Sequence, residues 1–256
     1  MFWYDGQLQP EGSSLSLSPT DPALLYGATL FTTLRVYESL DHHQTQWSDH
    51  IDRLKSSLQA LGWVEPDWDR VRQGAQSIDS AVRRITLFSD GREMVTGREL
   101  PPDLADRQQQ GIIAWVAPSE RRSLPQHKTG NYLLPWQCLQ RAATHGAQEA
   151  ILLDAQNHWL ETATGNLWGY AQGQWWTPPL QDGILPGIAR QQIIRRLNSQ
   201  GTAVQELPWD GKTIAQFEAI AYSNCVVEFV PIRQVIWGDR SHFYPLSTSI
   251  GRPNFS

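Results

Sequence analysis

Only three of the 21 Lys and Arg side chains in this 256-residue chain are lysines, Lys55, Lys128 and Lys212. Arginine supplies the other eighteen positive charges, so a need for basic surface does not explain a lysine here. A lysine amine can lose its proton and attack a carbonyl carbon, which a permanently protonated guanidinium cannot do. Lys55 falls on the polar side of HIDRLKSSL and Lys212 in the turn WDGKT, both ordinary solvated places. Lys128 stands in HKTGNYLLPWQ, between a proline-flanked polar stretch and an apolar helical segment. Spacing alone also fits a solvated boundary lysine there. Downstream, Glu161 ends a strand in LETATGNLWGY with four small residues before Asn166, and Gly187 follows a proline before a helical stretch; taken alone these equally fit a solvated strand end and an ordinary turn.

Apolar periodicity defines the elements that must position these residues. FWYDGQL alternates about an Asp-Gly turn, and LFTTLRVYE is β-branched and aromatic. HIDRLKSSLQALG sets Ile51, Leu54, Leu58 and Leu61 at helical spacing before Gly62. A helix is expected from Asp67 to Val82, then two strands in RRITLFSDGREMVTG and a further strand, GIIAWVA. PSERRSLP is polar, flanked by prolines and without apolar periodicity, as a linker is. The chain is therefore expected to divide into an N-terminal α+β domain (1–117), a linker (118–126) and a C-terminal α/β domain (127–256) that carries Lys128. The latter should hold a helix from about Tyr132 to His145, the strand EAILLD and a hairpin about Gln172-Gly173. A helix from Gly187 to Ser199 and the strands FEAIAYSN and VVEFVPIRQVIW should follow.

Composition excludes several classes. A net charge of −5, 40% apolar residues and twelve tryptophans describe a folded core and give no basic footprint for nucleic acid. No apolar run approaches the ~18 residues of a membrane span, and Asp5 stands where a signal peptide would be basic, so a cytoplasmic protein is expected. Cys138 and Cys225 lack metal-ligand spacing and a disulfide framework; both are expected to be buried, inert thiols, and no metal site is expected.

Four segments in order resemble the class IV aminotransferase family, the pyridoxal-phosphate enzymes of fold type IV. They are LLYGATLFTTLRVYE with His50, Arg53 and Leu54; Lys128 and Asn131 with Glu149, Glu161 and Asn166; DGILPGIARQQII with Gly187, Ile188, Ala189 and Arg190; and YSNCVVEFVPI with Ser223, Asn224 and Pro231. The resemblance implies a two-domain α/β (α+β) fold like that of D-amino-acid aminotransferase, with pyridoxal 5'-phosphate between the domains, and a homodimer. It makes Lys128 the residue that condenses with the cofactor aldehyde and then moves the proton at the substrate carbon. It assigns Glu161 to the cofactor ring nitrogen. Arg53, the backbone of Gly187, Ile188 and Ala189, and the polar groups of Ser223 and Asn224 are assigned to the phosphate. Three departures stand out: Gly27-Ala28-Thr29 where the family has Gly-Asp-Gly, Ala189 where a hydroxyl residue is frequent, and Pro135 early in a helix.

Such enzymes transaminate branched-chain or D-amino acids, or cleave 4-amino-4-deoxychorismate to 4-aminobenzoate and pyruvate. FTTLRV resembles the lyase form of its strand, Asn224 stands where lyases tend to carry Asn, and the chain is short for a transaminase. The expected activity is therefore the lyase reaction, with Phe31, Thr33 and Arg35 toward the substrate, and transamination is the alternative. A non-catalytic binding protein, its tryptophans serving packing and partner surfaces, is the reading from another class.

Overall fold

A computed structural model describes residues 1–118 and 121–246. The chain packs as two units: residues 1–101 with 127–132, and residues 102–126 with 133–246 of the described chain.

The first unit is built on one antiparallel sheet. Its elements are β1 (Phe2–Tyr4), β2 (Gln7–Gln9), α1 (Pro22–Tyr26), β3 (Thr29–Arg35), α2 (Trp47–Leu61), α3 (Trp68–Ser77), β4 (Val82–Phe88) and β5 (Glu93–Arg98). The strand order is β2-β1-β5-β4-β3. Asp5 and Gly6 both have positive φ, the turn that matches the twist of a two-residue hairpin. Side chains alternate across a strand, so one face gathers Trp3, Leu30, Leu34, Ile85, Leu87 and Val95. Ile51, Leu54 and Leu58 of α2 and Val71 and Ala75 of α3 close that face into a core. The expected helix 67–82 is shorter than its apolar pattern: Asp67 caps α3, which stops at Ser77 because Ile78 turns extended and Val82 begins β4. Ile78 and Val82 are buried, so their apolar character served the sheet.

The second unit contains α4 (Leu104–Gln110), β6 (Ile112–Val116), α5 (Leu133–Thr144), β7 (Glu149–Leu153), β8 (Trp159–Thr162), β9 (Asn166–Ala171), β10 (Gln174–Thr177), α6 (Ile188–Ser199), β11 (Val204–Glu206), α7 (Gly211–Ile214), β12 (Ala219–Asn224), β13 (Glu228–Trp237) and β14 (Arg240–Phe243). Strand pairing runs β9-β12-β13-β6-β7-β8 and returns from β8 to β9 through Glu161 and Asn166, so six strands close into a barrel. β10 and β11 extend the sheet beyond β9. Pro135 is the third residue of α5, where the missing N–H costs nothing. Cys138 is buried and Cys225 is half-buried. No helix of the described residues is long and apolar enough to cross a membrane.

This packing divides the chain differently from the expected boundaries. β6, expected in the first domain, pairs in parallel with β7 and β13. Lys128, expected in the second, joins the first: Phe31 N donates to Lys128 O at 2.8 Å and Leu30 bridges Thr129. The expected linker belongs to the second unit, where Arg122 is buried; Ser119 and Glu120 lie outside the described residues. Polarity signals a surface, and here one arginine of a polar stretch is turned inward.

The contact of α3 with β1 is close enough to require glycine. A Cβ on Gly74 would lie 2.5 Å from Trp3 Cδ1, inside a buried indole. Gly74→Ala is expected to lower stability by about 1–3 kcal/mol through overpacking, read as a lower urea midpoint at unchanged m.

Candidate active site

In the first unit, β3 presents two chemically different faces. Leu30, Thr32 and Leu34 face the core, and Phe31, Thr33 and Arg35 share the other face. The pairing of Thr33 with Arg84 puts Arg84 on that second face, with its guanidinium carbon 3.6 Å from the Phe31 ring centroid. Lys128 Nζ stands 4.7 Å from the same centroid and 5.3 Å from that of Tyr132. Phe31 and Tyr132 pack edge to face, which holds the two rings around the amine. Burial pulls the Arg84 guanidinium below the ordinary arginine value, with Arg98 adding to the effect. Arg53 lies on α2 and donates from Nη2 to Thr32 Oγ1 at 2.8 Å, and the same oxygen is 2.5 Å from His50 Nδ1. Gly27 ends α1 in the left-handed region, so Ala28 leads directly into β3 despite the missing acidic turn.

In the second unit, the predicted residues gather where the barrel closes. Glu161 of β8 is opposite Asn166 of β9, which is opposite Ser223 of β12. The Glu161 carboxylate is buried, accepting from Arg122 Nε at 2.8 Å on one oxygen and from Leu185 N at 3.0 Å on the other. Arg122 also donates to Pro125 O, and the pair's side chains are only 5% and 6% exposed. Asn166 Nδ2 donates to Leu185 O, so the residues just before α6 are tied to both Glu161 and Asn166. Gly187 is the N-cap of α6, with no side-chain cap bond among the described residues, and Ile188 and Ala189 are buried in the first turn. Arg190 turns away to Thr177, Pro178 and Glu206 and is structural. Ser223 accepts from the Trp168 indole at 2.9 Å. Asn224 closes its own turn, its Oδ1 accepting from Val226 N and Val227 N, while its Nδ2 reaches Thr164.

The amino-transferase class IV family model matches residues 29–235, most of the chain. The branched-chain-amino-acid aminotransferase of Escherichia coli (strain K12) is 32% identical over 91% of this chain and 84% of its own length. The chain belongs to the class IV aminotransferases. The aminodeoxychorismate lyase of Vibrio harveyi is 23% identical over 96% of this chain and 95% of its own length. A solved branched-chain amino acid aminotransferase with pyridoxamine 5'-phosphate superposes with a TM-score of 0.78 at 19% identity, covering 91% of this chain and 85% of the other.

Class IV aminotransferases of this fold depend on pyridoxal phosphate, and the residues here fit that group. A Cβ on Gly187 would lie 2.0 Å from Asn166 Oδ1, so glycine alone permits this close entry into α6. The uncapped first turn of α6 leaves backbone N–H groups for a phosphate. Within the first unit the Lys128 amine lies beside two aromatic rings, and within the second Glu161 is a buried carboxylate; these are the residue types that a cofactor aldehyde and a ring nitrogen call for.

Neither Arg84 nor Arg122 is marked out by the sequence. Arg84 sits in a strand whose faces separate only once its register with β3 is known. Arg122 lies in a segment whose polarity reads as linker. Glu149 carried a signal, an acidic residue opening an apolar strand, but its role appears only in three dimensions. It is fully buried, accepting from Thr164 Oγ1 and Ala150 N. Burial pushes its carboxyl up to about 7 against those hydrogen bonds.

Below about pH 4.5 both folded and unfolded chains keep the Glu149 proton; between there and about 7 only the unfolded chain releases it. Stability should therefore fall as pH rises through that window, by roughly 3 kcal/mol, and level off above it. Glu149→Gln stays neutral in both states, and a Tm against pH series on it is expected to lose this decline. Arg122→Met leaves the Glu161 carboxylate buried without a counter-charge and is expected to cost about 3–5 kcal/mol in urea unfolding, most of it recovered by adding Glu161→Gln.

Proposed function

We propose that this class IV aminotransferase relative is a pyridoxal-phosphate-dependent lyase converting 4-amino-4-deoxychorismate to 4-aminobenzoate and pyruvate. The observation that carries the reading is the cationic second face of β3 and β4, where Arg84, Arg35, Thr33 and Phe31 stand on the side of the sheet that Lys128 occupies. A substrate with a flat ring and two carboxylates matches such a face: guanidinium forks take carboxylates, and Phe31 offers an aromatic edge. A branched aliphatic side chain would need an apolar wall there instead. The end-to-end match with the Vibrio harveyi lyase supports the same reading.

The chain's residues divide the work. Pyridoxal phosphate, when bound, supplies an electron sink for the C–H bond broken at the amine-bearing carbon. Lys128 would hold the cofactor aldehyde carbon and, once freed, take the proton from that carbon. The enolpyruvyl oxygen leaves from the adjacent carbon as the ring becomes aromatic, and the proton ends on the departing fragment as pyruvate. Glu161, fixed by Arg122 and Leu185 N, would accept the cofactor ring N–H. Arg53, the Gly187, Ile188 and Ala189 backbone and the Ser223 hydroxyl would take the phosphate. Asn224 supports that group by shaping its turn. The reading includes a cytoplasmic location and a homodimer, the latter supported by α1, whose Leu24, Leu25 and Tyr26 are all exposed.

Transamination of branched-chain or D-amino acids is the second reading, favoured by the Escherichia coli relative at 32% identity. Product identity separates the two. Purified protein with 4-amino-4-deoxychorismate is expected to yield 4-aminobenzoate and pyruvate in equal amounts, and with branched-chain or D-amino acids plus 2-oxoglutarate no glutamate. The reverse result selects the transaminase. Lys128→Ala should reduce turnover at least ~1000-fold, and borohydride should no longer fix the cofactor to the 127–137 peptide.

A further inference from the structure

We propose that His50 is a positioning residue: through the Thr32 hydroxyl it fixes the Arg53 guanidinium for the phosphate group of the cofactor. The inference rests on the reading above that Arg53 takes this phosphate. Thr32 occupies a core position of β3 between Leu30 and Leu34, and all three are fully buried. Valine would fill the same volume without a polar atom, so a hydroxyl there calls for a partner. It has two. Arg53 Nη2 can only donate, so Thr32 Oγ1 accepts from it at 2.8 Å, and on this proposal the single hydroxyl proton goes to His50 Nδ1, 2.5 Å away.

That direction requires a neutral ring with its proton on Nε2. Burial, helped by the charges of Arg53 and Lys128, holds His50 well below the ordinary histidine value, which keeps the ring neutral. Nε2 is buried with no hydrogen-bond partner among the described residues, so the imidazole is kept here at the cost of an unsatisfied polar atom. His50 and Arg53 are three residues apart on α2 and share one helix face, so one strand hydroxyl can serve both. Fixing one nitrogen of a planar guanidinium fixes the plane in which its other N–H groups are offered. The ordering cost is then met in the folded chain rather than on binding.

The test compares dissociation constants of the cofactor-free full chain for pyridoxal 5'-phosphate and for pyridoxal, by absorbance titration; their ratio isolates the phosphate. Arg53→Gln should collapse the ratio. Thr32→Val, isosteric and safe for folding, and His50→Leu should each weaken pyridoxal 5'-phosphate about tenfold while leaving pyridoxal unchanged. His50→Asn, whose Oδ1 can accept the threonine proton, should restore most of the loss, and Thr32→Val added to Arg53→Gln should cost nothing more. If Arg53→Gln collapses the ratio while Thr32→Val and His50→Leu preserve it, the positioning role fails and the reading of Arg53 stands. Equal weakening of both ligands by the Thr32 and His50 variants reduces them to structural residues and overturns the proposal. A ratio untouched by Arg53→Gln removes the phosphate reading of Arg53 and the proposal with it.

Discussion

Glu161 can be buried only because Arg122 is buried with it. A lone carboxylate in a closing barrel would be prohibitively costly, and the 2.8 Å contact supplies both counter-charge and hydrogen bond. The second oxygen takes Leu185 N, and Leu185 O takes Asn166, so the carboxylate also anchors the approach to α6. The barrel seam between β8 and β9, the start of α6 and the turn after β12 are therefore one connected object. Altering the charge at its centre acts on the whole of it.

The first unit works by separation rather than burial of charge. β3 packs Leu30 and Leu34 into the core while its alternate residues present Phe31, Thr33 and Arg35 on the other side. One short strand thus carries both the stability of its sheet and a chemically distinct surface. Thr32 breaks the rule on the core face, where its hydroxyl meets Arg53 and His50. The exception marks a place where polar chemistry outweighs packing.

Glu149 extends the same logic to the second unit. Its buried carboxyl ties the first residue of β7 to Thr164, and Thr164 in turn receives Asn224. Three strands' ends are thereby joined by short polar side chains, none of which would look unusual alone. A group kept protonated near neutrality makes this junction sensitive to pH.

The sequence by itself determined what is local. Helical spacing of Ile51, Leu54, Leu58 and Leu61, the glycines after α2 and before α6, and the alternating strands are read within a few residues of themselves. The order of four loose motifs also pointed to the family that the family match bears out. What only the tertiary structure decided is everything that depends on pairing between distant segments. The end of α3 yielded to the pairing of β4 with β3 and β5. β6 went to the barrel through parallel partners far along the chain, and Lys128 went to β3 through a backbone bond that no local pattern announces. Arg122 met Glu161 and Arg84 met Phe31 for the same reason: composition describes the average environment of a segment, whereas burial of one side chain is set by whichever remote carboxylate or ring the fold brings to it.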